Sequence, residues 1–168
     1  MVAGDVPPSL LQKAFGETLT DEDVSLLQKN LNRADDYRDF IKEKEGKRLT
    51  AYPDAEGFSI GYGRYGANEG DTITQEQADE YLEEDINKRV VALNDNIPGF
   101  DNMPLEARQN MLGSWYRGSL SGSPKAIKLI NKGKYAEASK EFLDNDEYRD
   151  PETAPGIKKR MEATAKAI

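Results

Sequence analysis

Two carboxylates and one hydroxyl between positions 45 and 59 are the side chains in this sequence best suited to chemistry. Glu45 precedes a glycine, Asp54 follows a tyrosine and a proline, and Ser59 lies five residues further on. Hydrolysis of a glycosidic bond needs two carboxyl groups that flank the bond, one protonated and one ionised. A hydroxyl beside the ionised group can hold a water. In a chain with 31 acidic residues, composition alone gives this pair little weight.

The sequence contains no cysteine and no histidine. Without cysteine, disulfides, thiolate nucleophiles and cysteine-bound metals are excluded. Without histidine, the chain lacks the commonest metal ligand and the usual base near neutral pH. Serine–histidine hydrolysis and zinc hydrolysis are therefore excluded, and acid–base chemistry has to depend on carboxylates.

The formal net charge is −8, from 31 acidic and 23 basic residues. This balance argues against nucleic acid as the main partner, because phosphate binding needs clustered positive charge. No stretch approaches the roughly 20 apolar residues that cross a bilayer, so we expect no membrane insertion. Residues 1–9 contain Asp5 and two prolines and do not resemble a secretory signal.

A short helix and a small sheet are predicted to position the candidate side chains. Residues 36–44 have the pattern of a helix that delivers Glu45 at its end and stops at Gly46. Over residues 48–65 the pattern changes to strand and turn, with the turn at 53–57. A carboxyl at a helix end and another in a hairpin turn can face each other across a cleft.

The rest of the chain is predicted to be helical. Thr74 and Gln77 fit a capping box at the start of a helix over residues 74–93, whose apolar residues share one face. A helix of about 20 residues spans roughly 30 Å, which is enough to link two lobes. Further helices are predicted over residues 104–116, 123–133, 135–143 and 157–168. A helix, a small sheet, a long helix and a helical bundle together predict an α+β fold.

The N-terminal segment, residues 1–36, is more acidic than the rest of the chain. Its seven acidic and three basic residues account for half of the net charge. Residues 10–16 favour one or two amphipathic turns, and Thr20 is predicted to cap a second helix that ends near Leu31. We expect a linker or docking helices over residues 1–36 and a single domain over residues 37–168.

The segment from Glu45 to Arg64 resembles the catalytic signature of phage-type lysozymes, glycoside hydrolase family 24. The resemblance covers roughly residues 38–168 in the family's order. It implies a two-lobed α+β fold in which the sheet forms the small lobe, the long helix joins the lobes, and the cleft between them binds glycan. The matching positions are Glu45-Gly46, Leu49, Tyr52-Pro53-Asp54, Gly57, Ile60-Gly61-Tyr62-Gly63, Thr74, Trp115-Tyr-Arg-Gly118 and Pro155-Gly-Ile157.

The resemblance also implies roles for single residues. Glu45 matches the general acid, Asp54 matches the residue that positions or activates the attacking water, and Ser59 stands where the family usually has a catalytic threonine. A resembling enzyme hydrolyses the β-1,4 bond between N-acetylmuramic acid and N-acetylglucosamine in peptidoglycan, with inversion and without metal or cofactor. Tyr116 and Arg117 are expected to line the substrate cleft.

Three departures from the family pattern affect these expectations. Ser59 keeps the hydroxyl of the usual threonine but lacks the methyl that fixes its rotamer. The turn from Asp54 to Ser59 is one residue shorter than usual, which could misplace that hydroxyl. Arg64 replaces the usual histidine, and we expect it to pair with Asp85 on the 74–93 helix, because arginine can bind a carboxylate with two hydrogen bonds. Trp115 is expected in the core.

Three functional interpretations remain open. The first is a peptidoglycan hydrolase found in the phage virion or the host cytoplasm and acting on the cell wall, either as a free endolysin or as part of a larger virion protein joined through residues 1–36. The second is a lytic transglycosylase, which uses one acid and forms an anhydro-sugar, although the presence of Asp54 counts against it. The third is a non-catalytic glycan-binding module of the virion.

Overall fold

The computed structural model describes residues 20–168, so the turns predicted at 10–16 lie outside the described residues. The described residues form helices and one small three-stranded sheet, and the predicted α+β class is confirmed. A single turn of 3-10 helix covers Phe100–Asn102. The elements in chain order are α1 (Asp21–Glu45), β1 (Arg48–Asp54), β2 (Gly57–Gly61), β3 (Arg64–Ala67), α2 (Gln75–Asn96), α3 (Leu105–Tyr116), α4 (Pro124–Ile130), α5 (Tyr135–Leu143), α6 (Asp146–Arg149) and α7 (Pro155–Ala167).

Helix α1 is one continuous helix, and the prediction of two helices separated near residues 31–36 was wrong. Neither glycine nor proline interrupts this stretch of sequence, and buried Tyr37 and Ile41 hold its second half against the core. Gly46 ends the helix, as predicted, with a φ of +65° that residues with a Cβ rarely adopt. The expected division between residues 36 and 37 falls inside α1 and stays a prediction.

The three strands form an antiparallel sheet in the order β1-β2-β3. Asp54 pairs with Gly57 and Tyr52 with Ser59, which leaves a turn of two residues at the end of the hairpin. Ala55, the first of them, has φ +51°, a conformation that a residue with a Cβ rarely adopts. Because partners across a strand pair share a face, this register places Ser59 beside Tyr52. Strand β3 was not predicted, since it is only four residues long.

Helix α2 connects the sheet to the helical bundle. Its capping box between Thr74 and Gln77 is present, and its length of 22 residues agrees with the prediction. The helix contacts β2 and β3 as well as α1 and α3. Helix α3 in turn packs against α1, α2 and α7. The core is made mainly of side chains from the helices and the segments that connect them, and its largest fully buried members include Ile41, Leu82, Leu93, Phe100, Met111, Leu112 and Phe142.

Arg64 fastens the beginning of β3 to α2. Its Nε and Nη2 donate to the two carboxylate oxygens of Asp85, each at 3.0 Å, so the predicted partner is confirmed. Nη2 also donates to the Tyr81 carbonyl at 2.9 Å and to Glu84 at 3.0 Å. The Asp85 carboxylate is nearly buried and lies 3.6 Å from a second guanidinium, that of Arg89. A carboxylate in this position requires its partners, because water cannot replace them.

Arg64→Ala is therefore expected to lower the free energy of unfolding by about 2–4 kcal/mol, with Arg89 offsetting part of the loss. Urea denaturation measures the change. Glu84→Ala is the matched control, because it removes the other acidic partner of Arg64, which is 57% exposed. That variant should lose less than about 1 kcal/mol. Equal losses of unfolding free energy in Arg64→Ala and Glu84→Ala would contradict the importance of the contact between Arg64 and Asp85.

Candidate active site

The end of the β1–β2 hairpin presents the first candidate carboxylate. Ser59 Oγ donates to Asp54 Oδ2 at 2.6 Å. Ser59 has no exposed surface, whereas Asp54 is exposed. The hydroxyl therefore points at the carboxylate in spite of the short turn. The contact holds the Asp54 carboxylate in one orientation. Of these two residues, Asp54 is the one that faces solvent.

The second candidate carboxylate lies at the end of α1, where Gly46 stops the helix. The side chain of Glu45 is 17% exposed, and Arg160 of α7 donates from Nη2 to its Oε1. Nη1 of the same guanidinium donates to the Lys44 carbonyl at 3.4 Å. No role was predicted for Arg160, which stands 115 residues from Glu45 in the chain. Helix α7 therefore helps to position the end of α1.

Tyr52 of β1 connects the two carboxylates electrostatically. Burial raises the pKa of its phenol, and the charges of Asp54 and Glu45 raise it further, while Arg48 and Ser59 oppose the shift. The Arg48 guanidinium lies 4.5 Å from the centre of the ring. The pKa of this one phenol therefore responds to the charges of both carboxylates. The motif contained Tyr52, but no role was predicted for it.

The groups assembled at this place define the chemistry that is available. Carboxylates, a hydroxyl, a phenol and a guanidinium can transfer protons and orient a water at a bond between them. Across residues 20–168, Asp and Glu side chains form no group of three or more that could hold a metal ion. In the same range, every helix is too short or too polar to cross a bilayer.

Comparison with known proteins identifies the family of this chain. The phage lysozyme family model matches residues 42–164, which include both carboxylates and Ser59. The chain belongs to the phage lysozyme family.

Individual relatives are phage endolysins. The endolysin of Acyrthosiphon pisum secondary endosymbiont phage 1 is 36% identical over 110 residues, which is 61% of this chain and 72% of that protein. The endolysin of Lactococcus phage c2 is 50% identical over 58 residues, which is 33% of this chain and 26% of that protein. The chain thus matches about a quarter of the length of the latter.

A solved structure confirms the family fold. The endolysin from Escherichia coli O157:H7 phage FAHEc1 aligns with a TM-score of 0.58 and 29% sequence identity. The alignment covers 79% of this chain and 89% of the endolysin. The phage-lysozyme-like fold expected from the sequence is therefore present, with the small sheet and the helical bundle joined by α2.

Two aromatic residues attach the sheet of this family member to its helices. The Tyr62 hydroxyl donates to Asp79 Oδ1 at 3.1 Å, and Lys42 of α1 lies 2.8 Å from the same oxygen. Burial alone would raise the pKa of Asp79, but hydrogen bonds from Lys42, Gln75 and Tyr62 outweigh it and lower that pKa. This cluster joins α1, the turn after β2 and the first turns of α2.

Tyr116 makes the second attachment, from α3. Its hydroxyl donates to the Tyr62 carbonyl at 3.1 Å, and the Arg89 guanidinium lies 4.0 Å from the centre of its ring. Burial raises the pKa of Tyr116 far above its ordinary value, with the charge of Asp85 adding to the effect, so the phenol remains a donor. Tyr116 is thus a structural link, and its expected contact with substrate stays a prediction.

Trp115 and Arg117 are the neighbours of Tyr116 in the sequence. Arg117 Nη2 lies 2.8 Å from Glu147 Oε1. Its expected role in substrate binding also stays a prediction. Trp115 is partly buried and packs against the core, in agreement with its interpretation as a core residue.

Asp79→Asn is expected to lower the free energy of unfolding by about 0.5–1 kcal/mol near pH 7, because it removes the partly exposed ion pair with Lys42. The folded state depresses the pKa of Asp79, so this stabilisation is complete above the unfolded pKa and is lost as pH falls through the folded pKa. Urea titrations of wild type and variant should therefore converge in acid. Glu80→Gln, an exposed neighbour, should match wild type at both pH values. A difference in unfolding free energy between Asp79→Asn and wild type that persists in acid would contradict the stabilising role of the ionised Asp79 carboxylate.

Proposed function

We propose that the protein is a peptidoglycan hydrolase that cleaves the β-1,4 bond between N-acetylmuramic acid and N-acetylglucosamine. The observation that carries the proposal is the Ser59–Asp54 hydrogen bond at the end of the hairpin, beside a helix that ends in Glu45. Membership of the phage lysozyme family and the similarity to endolysins support the same substrate class.

In this mechanism Glu45 is the general acid. Arg160 contacts Oε1, and Oε2 makes no hydrogen bond to the residues that the structure describes, so Oε2 is the oxygen that can reach the glycosidic bond. A proton passes from it to the leaving sugar oxygen as the bond breaks. General acid catalysis of this kind accelerates reactions by about 10²–10⁴-fold.

Asp54 is the general base that takes a proton from the attacking water. The expected outcome is inversion, for which the two carboxyl groups of such enzymes stand roughly 6.5–9.5 Å apart. Ser59 is fully buried and already donates to Asp54, so we assign it as a positioning residue that acts through the carboxylate. Tyr116 and Arg117 are proposed to approach the glycan from the α3 side of the cleft.

The proposal includes the biological setting expected from the sequence. The protein acts on the bacterial cell wall, either as a free endolysin or as part of a larger virion protein to which residues 1–36 connect the domain at 37–168. Lytic transglycosylase activity and glycan binding without catalysis are the alternatives. Hydrolysis gives a reducing sugar end, a transglycosylase gives an anhydro-sugar, and a binding module gives no product.

Glu45→Gln is expected to lower turnover of purified peptidoglycan by at least 10²-fold, because the amide cannot donate the proton. Mass spectrometry of the wild-type digest should show reducing muramic acid ends, and anhydro ends would instead identify a transglycosylase. The matched control is Glu43→Gln, an exposed glutamate on the same helix turn, which should remain fully active. Retention of more than a tenth of wild-type turnover by Glu45→Gln would contradict its role as the acid.

Ser59→Ala is expected to reduce kcat at least tenfold with little change in KM, because Asp54 loses the hydrogen bond that orients it. Misplacement of a reacting group by about 1 Å can cost about 10²-fold in rate. Ser59→Thr keeps the hydroxyl and should retain wild-type kcat. Thermal unfolding of each variant separates a folding defect from a change in the site. A fully active Ser59→Ala would show that the serine only fills space in the sheet.

A further inference from the structure

A shallow groove of about 620 Å³ lies on the helical bundle, where the end of α2, the end of α3 and α4 meet. We refer to it as the α2–α4 groove. Trp115, Pro124 and Ile127 supply its apolar lining. The polar residues around them include Asp95, Lys128, Asn131 and Lys132.

This groove lies on the opposite face of α3 from the candidate acid. Arg160, which contacts Glu45, lines a different pocket together with Gly113 of α3. Trp115 follows Gly113 by two positions, and two positions of an α-helix correspond to a rotation of about 200° around its axis. A ligand in the α2–α4 groove is therefore held away from Glu45 and belongs to a separate site.

The charged side chains of the groove are available to a ligand. Asp95, Lys128 and Lys132 are exposed, and none of them forms an ion pair with the residues that the structure describes. The neighbouring Lys125 and Lys134, in contrast, each contact a glutamate. The groove therefore offers one anionic acceptor and two cationic donors beside a tryptophan.

The lining of the groove is held in place before any ligand enters. Asn131 Nδ2 donates to the Asn96 carbonyl at 2.8 Å, which joins the end of α4 to the end of α2. Trp115 is partly buried and packs against the core, so its ring is fixed while part of it remains exposed. A site that is already ordered loses little conformational entropy on binding.

This combination of groups is suited to a sugar ring. The C–H face of a hexopyranose can pack on the indole ring, while its hydroxyl and acetamido groups need both donors and acceptors at the edge. Asp95 would repel the phosphates of a nucleic acid. A stable protein interface buries about 800 Å² on each partner, and three apolar side chains in a shallow groove do not provide such a surface.

We propose that the α2–α4 groove is a second glycan-binding site, which takes an N-acetylhexosamine unit of a strand that is not being cut. The inference rests on the proposed function, because that function supplies the class of polymer. The net charge of −8 does not favour attachment to an anionic wall. A sugar bound beside two free lysines would keep the protein on the wall between cuts.

The binding test uses Trp115 as its reporter, since the sequence contains one tryptophan. The trimer of N-acetylglucosamine is titrated into Glu45→Gln, so that the probe is not cut, and tryptophan emission should change until it saturates. Adding Asp95→Ala and Lys128→Ala should raise the apparent Kd at least fivefold. The matched control adds Glu152→Ala and Lys166→Ala, an exposed acid and an exposed lysine outside the groove, and should keep the original Kd.

A second measurement tests the consequence for the wall. In the background with an intact Glu45, Asp95→Ala with Lys128→Ala should leave at least threefold more protein unbound after sedimentation with insoluble peptidoglycan. Its kcat on soluble peptidoglycan fragments should equal that of wild type, because neither side chain lies near the carboxylates that cut the strand.

The outcomes separate this inference from the proposed function. An unchanged tryptophan emission, or the same apparent Kd in the groove variant and its control, would overturn the second site and leave the hydrolase intact. An emission change that follows protein concentration without sugar would also overturn it, because a second copy of the chain would then occupy the groove. Failure of wild type to cleave peptidoglycan would overturn the hydrolase, whereas a saturating titration that depends on Asp95 and Lys128 would still support the glycan site.

Discussion

The position of the sheet relative to the helical bundle depends on the contact between Arg64 and Asp85. A nearly buried carboxylate lies between two guanidiniums, and each of these reaches a different part of the molecule. Arg64 begins β3, while Arg89 stacks on Tyr116, whose hydroxyl holds the turn after β2. The candidate acid and base come from different elements, α1 and the hairpin. Their separation therefore depends on contacts that involve neither of them, such as the one at Asp85, as well as on their own partners.

The two carboxylates are held in different ways. Asp54 is oriented by Ser59, five residues away on the same hairpin, so its position follows from local register and persists as long as the hairpin forms. Glu45 is held by Arg160, 115 residues away, so its position requires α7 to be docked against α1 and α3. Asp54 is thus fixed by local structure and Glu45 by tertiary packing. Of the two, Glu45 is the one whose position depends on the docking of a distant helix.

The sequence predicted features that depend on local chemistry. The capping box at Thr74, the helix stop at Gly46 and the hairpin around Asp54 follow from residue types a few positions apart. Asp85 was named as the partner of Arg64 from the register that its helix shares with the phage lysozyme family. The prediction missed the continuity of α1, because a cluster of charged residues resembles the end of a helix. The buried Tyr37 holds the helix against the core beyond this cluster. The sequence could not reveal the roles of Arg160 and Tyr52, since these depend on long-range docking.

The acidic charge of the chain and the cationic surface between α1 and α7 act over different distances. Four cationic residues lie on this surface against Glu106 alone: Lys44, Arg117, Lys159 and Arg160. At physiological ionic strength the Debye length is about 8 Å, so exposed acids elsewhere on the protein have little influence there. The ion pair between Arg160 and Glu45 acts at contact distance, where screening by salt is weak. Net charge therefore describes how the protein behaves in solution, whereas the local ion pair determines how Glu45 is held.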